Sequence, residues 1–281
     1  MTDSVPPTRI PAPLGHIEPH AHLLSVPTTE QLLYKIMSAE NLLRSGFGGY
    51  LHFNRVDSYA DFPGADTHDG RQLPRDEPGN ASSRFQNAPH FTAANYYDQS
   101  RARTYACCFS LENSDYIWSN YANNHKRGKV CVVFEFGKLR NTINNTLRPG
   151  NAALDYNGNR CHQIFSVNYG LVEYVEWDLH QTNSEHLANP IQYTYLKAKQ
   201  REGQRFYEER EFRISLSAIG IGQFALQDGS TMEFPSSLQL VFDYQAAIAD
   251  GTIVKILHAP DADTDFLKSE LHKLRIVLSD G

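Results

Sequence analysis

The sequence predicts an α+β fold with mixed, mostly antiparallel sheets that form a cleft, surrounded by helices. Strand-like and helix-like segments follow one another without strict alternation, which is typical of this class. A run of β-branched residues over 129–136 is typical of a strand, whereas 263–275 places apolar residues on one side of a helix. The chain has 281 residues, of which 41% are hydrophobic, and this suffices for a full core without metal ions or disulfides.

The first elements are short. Residues 32–36 predict a strand, and Ser38 then caps a helix over 39–44 that ends near Gly46. Another strand is predicted over 50–54, a long loop over 57–89 and a helix over 90–101. Loops of that length tend to be functional lids, insertions or disordered segments.

The middle and the end of the chain carry stronger patterns. Apolar runs predict strands over 104–111, 129–136, 161–168, 171–177, 238–242 and 253–258, with 161–168 and 171–177 pairing around Tyr169–Gly170. Capping residues and apolar spacing predict helices over 114–124, 190–201, 243–251 and 263–275.

Residues 1–30 are rich in proline, which predicts a flexible N-terminal tail, and residues 31–281 then form a single α+β catalytic-like domain. His16, His20 and His22 in this tail are spaced as in a helical metal site, but Pro19 disfavours that helix. We therefore expect no metal site there.

Charge and hydropathy narrow the function classes. The net charge of -6 argues against general affinity for nucleic acid. No apolar run approaches ~18 residues, so we expect no membrane span. The first residues do not resemble a secretory signal, and four cysteines match no zinc spacing, so we expect free thiols and a cytoplasmic protein.

The segment 206–214 is dense in charge but is predicted as a strand. Alternation places Glu209, Glu211 and Arg213 on one face and Phe212 and Ile214 on the other, core-facing side. A polar strand face is either a solvated ladder of ion pairs or the wall of a cleft. Both interpretations stay open at this stage.

The common catalytic and nucleotide-binding signatures are absent from the sequence. Asp66–Asp69 has the letters D-T-H-D of a metal-dependent hydrolase, but no partner set supports it, which indicates a charge cluster in a loop. Cys107 and Cys108 have no basic neighbour in sequence, which disfavours a catalytic cysteine.

An ordered set of short motifs remains: L-Y-K at Tyr34–Lys35, C-F-S ending at Ser110, W-x-x-Y-A at Trp118–Tyr121, and E-x-E-x-R at Glu209–Arg213. Over residues 32–258 this set resembles the bacterial family of domains of unknown function numbered 2971. Two positions differ from the family pattern: Phe206 stands where the family usually has a tryptophan, and residues 61–64 stand where it usually has an N-D-P-F-like turn. The motif order is also distantly similar to that of the mono-ADP-ribosyltransferases, which implies an ADP-ribosyltransferase-like fold.

The second resemblance implies transfer of ADP-ribose from NAD to an acceptor, which is a protein, a nucleic acid or a small molecule. Glu211 would be the catalytic glutamate, which stabilises an oxocarbenium-like ribose; Glu209 would act on the acceptor, and Ser110 would support the ribose or the glutamate. The expected NAD-binding residues are Tyr34, Lys35, Trp118 and Tyr121, with Arg55 or Arg71 as alternative phosphate contacts. The expected setting is a bacterial toxin, effector or antiphage protein.

Two other functions stay open: a non-enzymatic domain that binds a ligand or partner, and a metal-dependent nuclease using Glu209, Glu211 and Asp57 or Asp61. For the transferase, we expect the side-chain tips of Lys35, Ser110 and Glu211 within about 10–12 Å of one another. We also expect Glu211 to be partly exposed, so that Glu211→Gln changes stability by only about 0–1 kcal/mol.

Overall fold

The computed structural model describes residues 16–61, 65–148, 151–156, 159–161, 165–182, 188–218, 223–225 and 230–276. It has the mixed α+β composition that the sequence predicts, with a mostly antiparallel sheet and several helices.

The strands are β1 Leu32–Ser38, β2 Tyr50–Arg55, β3 Arg84–Phe85, β4 Ala88–Thr92, β5 Thr104–Ser110, β6 Lys129–Glu135, β7 Leu154–Tyr156, β8 Asn159–Cys161, β9 Phe165–Leu171, β10 Glu173–Val175, β11 Leu196–Ala198, β12 Glu211–Ala218, β13 Gln223–Ala225, β14 Thr231–Glu233, β15 Ser237–Val241 and β16 Ile253–His258. The α-helices are α1 Ala39–Gly48, α2 Glu77–Ser82, α3 Ala93–Arg101, α4 Asp115–Asn120, α5 Phe136–Thr146, α6 Pro190–Thr194, α7 Tyr244–Ala249 and α8 Thr264–Lys273. Single 3-10 turns cover Ala21–Leu23, Val56–Asp61 and Phe206–Glu209.

A ten-stranded antiparallel sheet organises the molecule, and it branches at β5. One edge of β5 pairs with β12 along its whole length, and β12 pairs in turn with β9. Pairing with β1 occurs at Ser110, near the end of β5, whereas β2 pairs at Ala106 and Tyr105, near its start. Strands β1 and β2 therefore diverge from a common neighbour, and both branches contribute buried residues to the main core.

Local sequence signals explain many element boundaries. The hydroxyl of Ser38 accepts a hydrogen bond from the N–H of Asn41 (3.2 Å), which caps α1 as predicted. Helix α1 runs past Gly46 and ends at Gly48, and the next residue, Gly49, caps it with a φ of 65°, the left-handed conformation that glycine adopts without strain. Asp243 and Asp263 cap α7 and α8 in the same way as Ser38 caps α1.

The predicted turn at Tyr169–Gly170 is wrong, because β9 runs straight through both residues. Gly170 lies there for close packing: a Cβ atom on it would lie 2.8 Å from the ring of Tyr195. The segment that was predicted to pair with β9 contains β10, which instead pairs in parallel with β11. Strand β11 also replaces the second half of the helix predicted over 190–201.

Residues 16–30, part of the predicted tail, lie against the domain. The N–H of Glu18 donates to the carbonyl of Val167 (2.8 Å), and Leu171 donates to the carbonyl of Ser25 (2.8 Å). The Glu18 carboxylate also pairs with Arg140 on α5. Residues 1–15 of that prediction lie outside the described residues.

The long loop predicted over 57–89 contains regular structure, namely α2 and the hairpin that begins with β3. Two of its aspartates are buried rather than solvated: Asp66 accepts a hydrogen bond from the N–H of Ala198 (3.2 Å), and Asp69 pairs with Arg213. The loop therefore carries part of the polar interior, which the D-T-H-D letters did not reveal.

Candidate functional site

Three predicted residues lie in register across adjacent strands. Ser110 on β5 is the partner of Tyr34 on β1 and of Glu211 on β12. Residues paired across strands project to the same face of a sheet, so Tyr34, Ser110 and Glu211 share one face. The predicted convergence of Ser110 with Glu211 is therefore confirmed.

Lys35 does not join this face. It follows Tyr34 in β1, so its side chain lies on the opposite side of the sheet. Its Nζ atom lies 5.0 Å from the ring centre of Phe109 and donates to the carbonyl of Cys108 (3.1 Å). The expected convergence of Lys35 with Glu211 is wrong because the two-residue period of the strand separates them.

Five charged side chains form what we call the buried charge cluster, each at most 8% exposed: Asp69, Lys197, Glu209, Glu211 and Arg213. Lys197 Nζ lies 2.5 Å from Oε2 of Glu209 and 3.2 Å from Oε2 of Glu211. Arg213 contacts Oε1 of Glu211 at 2.7 Å. The expected partial exposure of Glu211 is therefore wrong.

Arg213 connects the cluster to two other parts of the fold. Its guanidinium makes a bidentate pair with Asp69, with contacts of 2.7 and 2.9 Å. It also donates to the carbonyl of Thr194 at the end of α6 (2.7 Å). The loop before α2, helix α6 and strand β12 are thus joined through one fully buried side chain.

A left-handed residue brings the two glutamates together. The predicted strand over 206–214 begins only at Glu211, because Phe206–Glu209 forms a 3-10 turn and Arg210 has φ 47° and ψ 50°. The position of Glu209 beside Glu211 is therefore set by the left-handed backbone of Arg210 and not by the alternation of side chains along a strand. From Glu211 onward the prediction is confirmed: Phe212 and Ile214 are fully buried in the main core.

The environments of the two carboxylates push their pKa values apart. Burial raises the pKa of Glu209 to about 7, which the Glu211 charge reinforces and Lys197 opposes. For Glu211 burial also acts upward, but Arg213 and Lys197 outweigh it and hold the pKa at about 2. With all five groups ionised the cluster carries three negative and two positive charges, and a proton on Glu209 neutralises it.

Tyr121 connects the cluster to the surface. Its hydroxyl donates to Oε1 of Glu209, while the residue as a whole is 40% exposed. The helix predicted over 114–124 ends at Asn120, so Tyr121 has an extended backbone and does not continue the helix that carries Trp118. Trp118 Nε1 donates instead to Asn113 (2.7 Å).

A buried lysine holds the turn that carries Tyr121. Nζ of Lys129 on β6 donates to the carbonyl of Trp118 (2.6 Å) and to the side chain of Asn123. These contacts lie on both sides of Tyr121 in sequence, so they hold the backbone of this turn against β6. Of these two predicted residues, Tyr121 contacts the cluster through Glu209, whereas the side chain of Trp118 contacts Asn113.

Sequence reasoning missed three members of the site. Lys197 lies in the three-residue strand β11, between the buried residues Leu196 and Ala198. Asp69 comes from the predicted loop, and the hydroxyl of Tyr174 accepts from the N–H of Glu211 (2.9 Å). The signal that could have identified Lys197 is a lysine between apolar residues, upstream of the acidic pair Glu209 and Glu211.

The thiol of Cys108 lies on the same face, since Cys108 is the β5 partner of Arg213. Burial, with the charge of Glu211, raises its pKa, and the hydroxyl of Tyr59 lies 3.3 Å from its Sγ. A raised pKa keeps it a thiol at neutral pH, which agrees with a structural role. Cys107 and Cys131 are also free and buried, and the side chain of Cys161 lies outside the described residues.

Asp57, a candidate for the nuclease, and Arg55, an alternative phosphate contact, are paired with each other. Asp57 contacts Nε of Arg55 at 2.6 Å, and Arg55 also donates to the carbonyl of Phe234. Within the described ranges, no group of three or more His, Cys, Asp or Glu side chains is arranged to hold a metal ion. Arg71 is an exposed residue of the loop before α2.

A cavity of about 220 Å³ lies at the other end of the polar face of β12, and Ser217 lines it. Ser217 is six residues from Glu211, and at about 3.3 Å per strand residue the two are roughly 20 Å apart. The cluster and the cavity are therefore separate places on one strand.

Comparison of the chain with family models, with curated proteins and with solved structures found no match. The two resemblances drawn from the motifs accordingly stay predictions. Among the described helices, none combines the length and apolar character that crossing a membrane requires.

Proposed function

We propose that this protein is an ADP-ribosyltransferase-like enzyme that uses NAD as substrate, with Glu211 as its catalytic carboxylate. The observation that carries the proposal is the register of Tyr34, Ser110 and Glu211 across three neighbouring strands. A tyrosine, a serine and an ionised glutamate lie on one face, and the motif resemblance assigns them to NAD binding, to support of the ribose or the glutamate, and to catalysis.

The charges of the two glutamates suit this reaction. The bond between ribose and nicotinamide breaks with its electron pair leaving on nicotinamide, and positive charge develops on the ribose. Glu211, ionised at neutral pH, stabilises that charge. The nucleophile of the acceptor then bonds to the ribose carbon, and its proton passes to Glu209, whose pKa of about 7 suits a base near neutral pH.

Access to the carboxylates runs through Tyr121. Its hydroxyl contacts Glu209 and the residue is 40% exposed, so rotation of this side chain would expose Glu209 without unpairing Arg213. We propose that substrate binding displaces Tyr121, and that Lys129 keeps the rest of its turn in place.

One observation favours the rival, a non-enzymatic binding domain. Each charged side chain of the cluster is paired inside the fold, as in a structural ion-pair network. In that case the polar face of β12 stabilises the domain, and function lies elsewhere on the surface. The two proposals differ in whether NAD is consumed.

The test is incubation of the protein with NAD labelled in its adenine ring and a bacterial lysate. Free nicotinamide reports cleavage, and label on macromolecules or small products reports transfer. We expect both with the wild type, and we expect Glu209→Gln to reduce transfer more than cleavage, because Glu209 receives the acceptor proton. The matched control is Glu208→Gln, whose side chain lies in the same turn but pairs with Arg205 outside the cluster.

Equal loss of cleavage and transfer in Glu209→Gln would contradict the role of Glu209. Absence of nicotinamide release by the wild type would favour the binding domain.

A further inference from the structure

We propose that the outer edge of β9 is a docking groove for a partner protein, which binds it through an extended segment that carries a glutamate. Residues 16–25 of the chain fill this groove until the partner binds. This inference does not depend on the proposed NAD chemistry. One edge of β9 pairs with β12, and the N-terminal segment covers the other edge. A free strand edge is a surface on which an extended peptide adds a strand.

Backbone hydrogen bonds hold the start of the segment on β9. Val167 donates its N–H to the carbonyl of His16 (3.1 Å), and its own carbonyl accepts from the N–H of Glu18 (2.8 Å). Ile17 thereby forms a parallel bridge with Val167. These contacts use main-chain atoms, so a different sequence in the same extended conformation would make them too.

The segment does not stay extended along the edge. After Glu18, whose φ is 53°, it turns away through the 3-10 turn Ala21–Leu23. It returns at Ser25, whose carbonyl accepts from the N–H of Leu171 (2.8 Å). Backbone groups alternate along a strand, so those of Tyr169 point to the same edge as those of Leu171. A segment that stayed extended would therefore pair with Tyr169 as well, and would fit the edge better than residues 16–25 do.

A carboxylate site lies beside the edge. Arg140 on α5 makes a bidentate pair with Glu18, with its Nε atom 2.7 Å from Oε1, and Asn144 donates to the same oxygen (2.8 Å). The hydroxyl of Tyr169 donates to Oδ1 of Asn144 (2.7 Å), which orients the amide toward Glu18. Burial acts to raise the pKa of Glu18, but its contacts with Arg140 and Asn144 outweigh burial and lower the pKa. The groove therefore selects a segment with an ionised carboxylate at this position.

The resident segment is held loosely enough to be displaced. None of residues 16–30 is buried, whereas Val167 and Tyr169 of β9 are 1% and 3% exposed. Segments with few buried contacts open at a low cost in free energy. A tethered segment competes at an effective concentration of about millimolar, so it weakens the binding of a partner and does not prevent it.

The test is fluorescence anisotropy with the full chain and a labelled peptide that has the sequence of residues 16–26. We expect Glu18→Ala in the chain to strengthen peptide binding by about tenfold or more, because it loosens the resident segment while the peptide keeps its own glutamate. The matched control is Glu30→Ala, whose carboxylate contacts Thr29 rather than Arg140 and whose loss should leave the affinity unchanged. The peptide with Glu18→Gln should bind the Glu18→Ala chain more weakly, since it lacks the charge that pairs with Arg140.

A second peptide distinguishes a partner protein from a second copy of this chain. It carries Pro19→Val and Ala21→Val, and these β-branched residues favour an extended backbone. We expect it to bind more tightly than the peptide with the chain's own sequence, because it pairs with Tyr169. Equal or tighter binding of the own-sequence peptide would assign the groove to a second copy and would overturn the proposal of a different partner.

Hydrogen exchange of the wild-type chain is an independent readout if Glu18→Ala does not fold. The N–H groups of Val167 and Leu171 donate to the segment and should exchange about tenfold faster or more than those of Ser166 and Asn168, which point to β12. Equal exchange of the two pairs would overturn the inference. So would absence of peptide binding to Glu18→Ala in the millimolar range, equal peptide affinity of wild type and Glu18→Ala, or equal binding of the peptide with Glu18→Gln. None of these readouts requires NAD turnover, so this inference and the transferase proposal fail independently.

Discussion

Lys197 Nζ lies 2.5 Å from Oε2 of Glu209, and both side chains are almost fully buried. The same ammonium group reaches Glu211, so one lysine balances two carboxylates that the protein interior would otherwise leave unpaired. Lysine and glutamate are rarely buried without such a partner.

Replacement of this lysine tests the pairing. We expect Lys197→Met to lower the free energy of unfolding by about 3–5 kcal/mol, the usual effect of breaking a buried ion pair on one side. Urea denaturation at neutral pH measures it. The control is Lys199→Met, whose half-exposed ammonium lies 3.6 Å from Glu176 and should contribute less than about 1 kcal/mol. Equal effects of the two changes would contradict a buried pair at Lys197.

Stability should depend on pH through Glu209. Its folded-state pKa of about 7 exceeds the unfolded value of about 4.3, so between these values the folded state holds the extra proton. The free energy of unfolding should therefore fall as pH rises from about 4.5 to 7, by roughly 3 kcal/mol from this group. Glu211, with its lowered pKa, acts in the opposite direction and only below about pH 4.5.

Urea denaturation of wild type and Glu209→Gln at several pH values between about 4.5 and 7 measures this slope. The variant should lose the downward slope, because glutamine mimics the protonated side chain at every pH. Glu208→Gln should keep the wild-type slope, since Glu208 pairs with Arg205 outside the cluster. If Glu209→Gln kept the wild-type slope, a group other than Glu209 would be responsible for this pH dependence.

The hydroxyl of Tyr121 should lower the pKa of Glu209. This hydrogen bond lowers the pKa of Glu209 against the upward effect of burial, so Tyr121→Phe should raise that pKa further. Titration of carbon-13-labelled glutamate side chains by NMR measures it. The control is Tyr116→Phe on α4, which should leave the Glu209 titration nearly unchanged. An unshifted or lowered pKa in Tyr121→Phe would contradict the contact.

Gly170 should be intolerant of a side chain. A Cβ atom there would lie 2.8 Å from the ring of Tyr195, so Gly170→Ala should destabilise the fold by about 1–3 kcal/mol. Gly79→Ala in α2 is the control, since nothing lies within 4 Å of the added methyl, and it should stabilise by about 0.5–1 kcal/mol. Thermal unfolding compares them. A neutral Gly170→Ala would contradict the path of β9 beside Tyr195.

Patterns that depend on neighbouring residues were predictable from the sequence. The core-facing side of β12 followed from the alternation of Phe212 and Ile214, and Ser38 identified the start of α1. The proximity of Glu211 and Ser110 was expected from the motif resemblance, which assigns both to one substrate, and the pairing of β5 with β12 brings them together.

Features set by distant parts of the chain were not predictable. The left-handed residue before β12 is an arginine rather than a glycine, so the sequence does not indicate a turn there and the segment was predicted as strand. Lys197 and Asp69 reach the cluster from elements whose position only the complete fold determines. The burial of Glu211 likewise depends on this packing, and with it the expected stability of its variants.

The central claim, that Glu211 stabilises the cleavage of NAD, is tested most directly by the rate of nicotinamide release from wild type and Glu211→Gln. Because Glu211 is buried and paired with Arg213, the variant is assayed at a temperature where circular dichroism shows it folded. We predict that the folded variant is slower by about 10²–10³, the usual effect of losing one electrostatic contact in the transition state. No nicotinamide release by the wild type, or an unchanged rate in folded Glu211→Gln, would contradict the account.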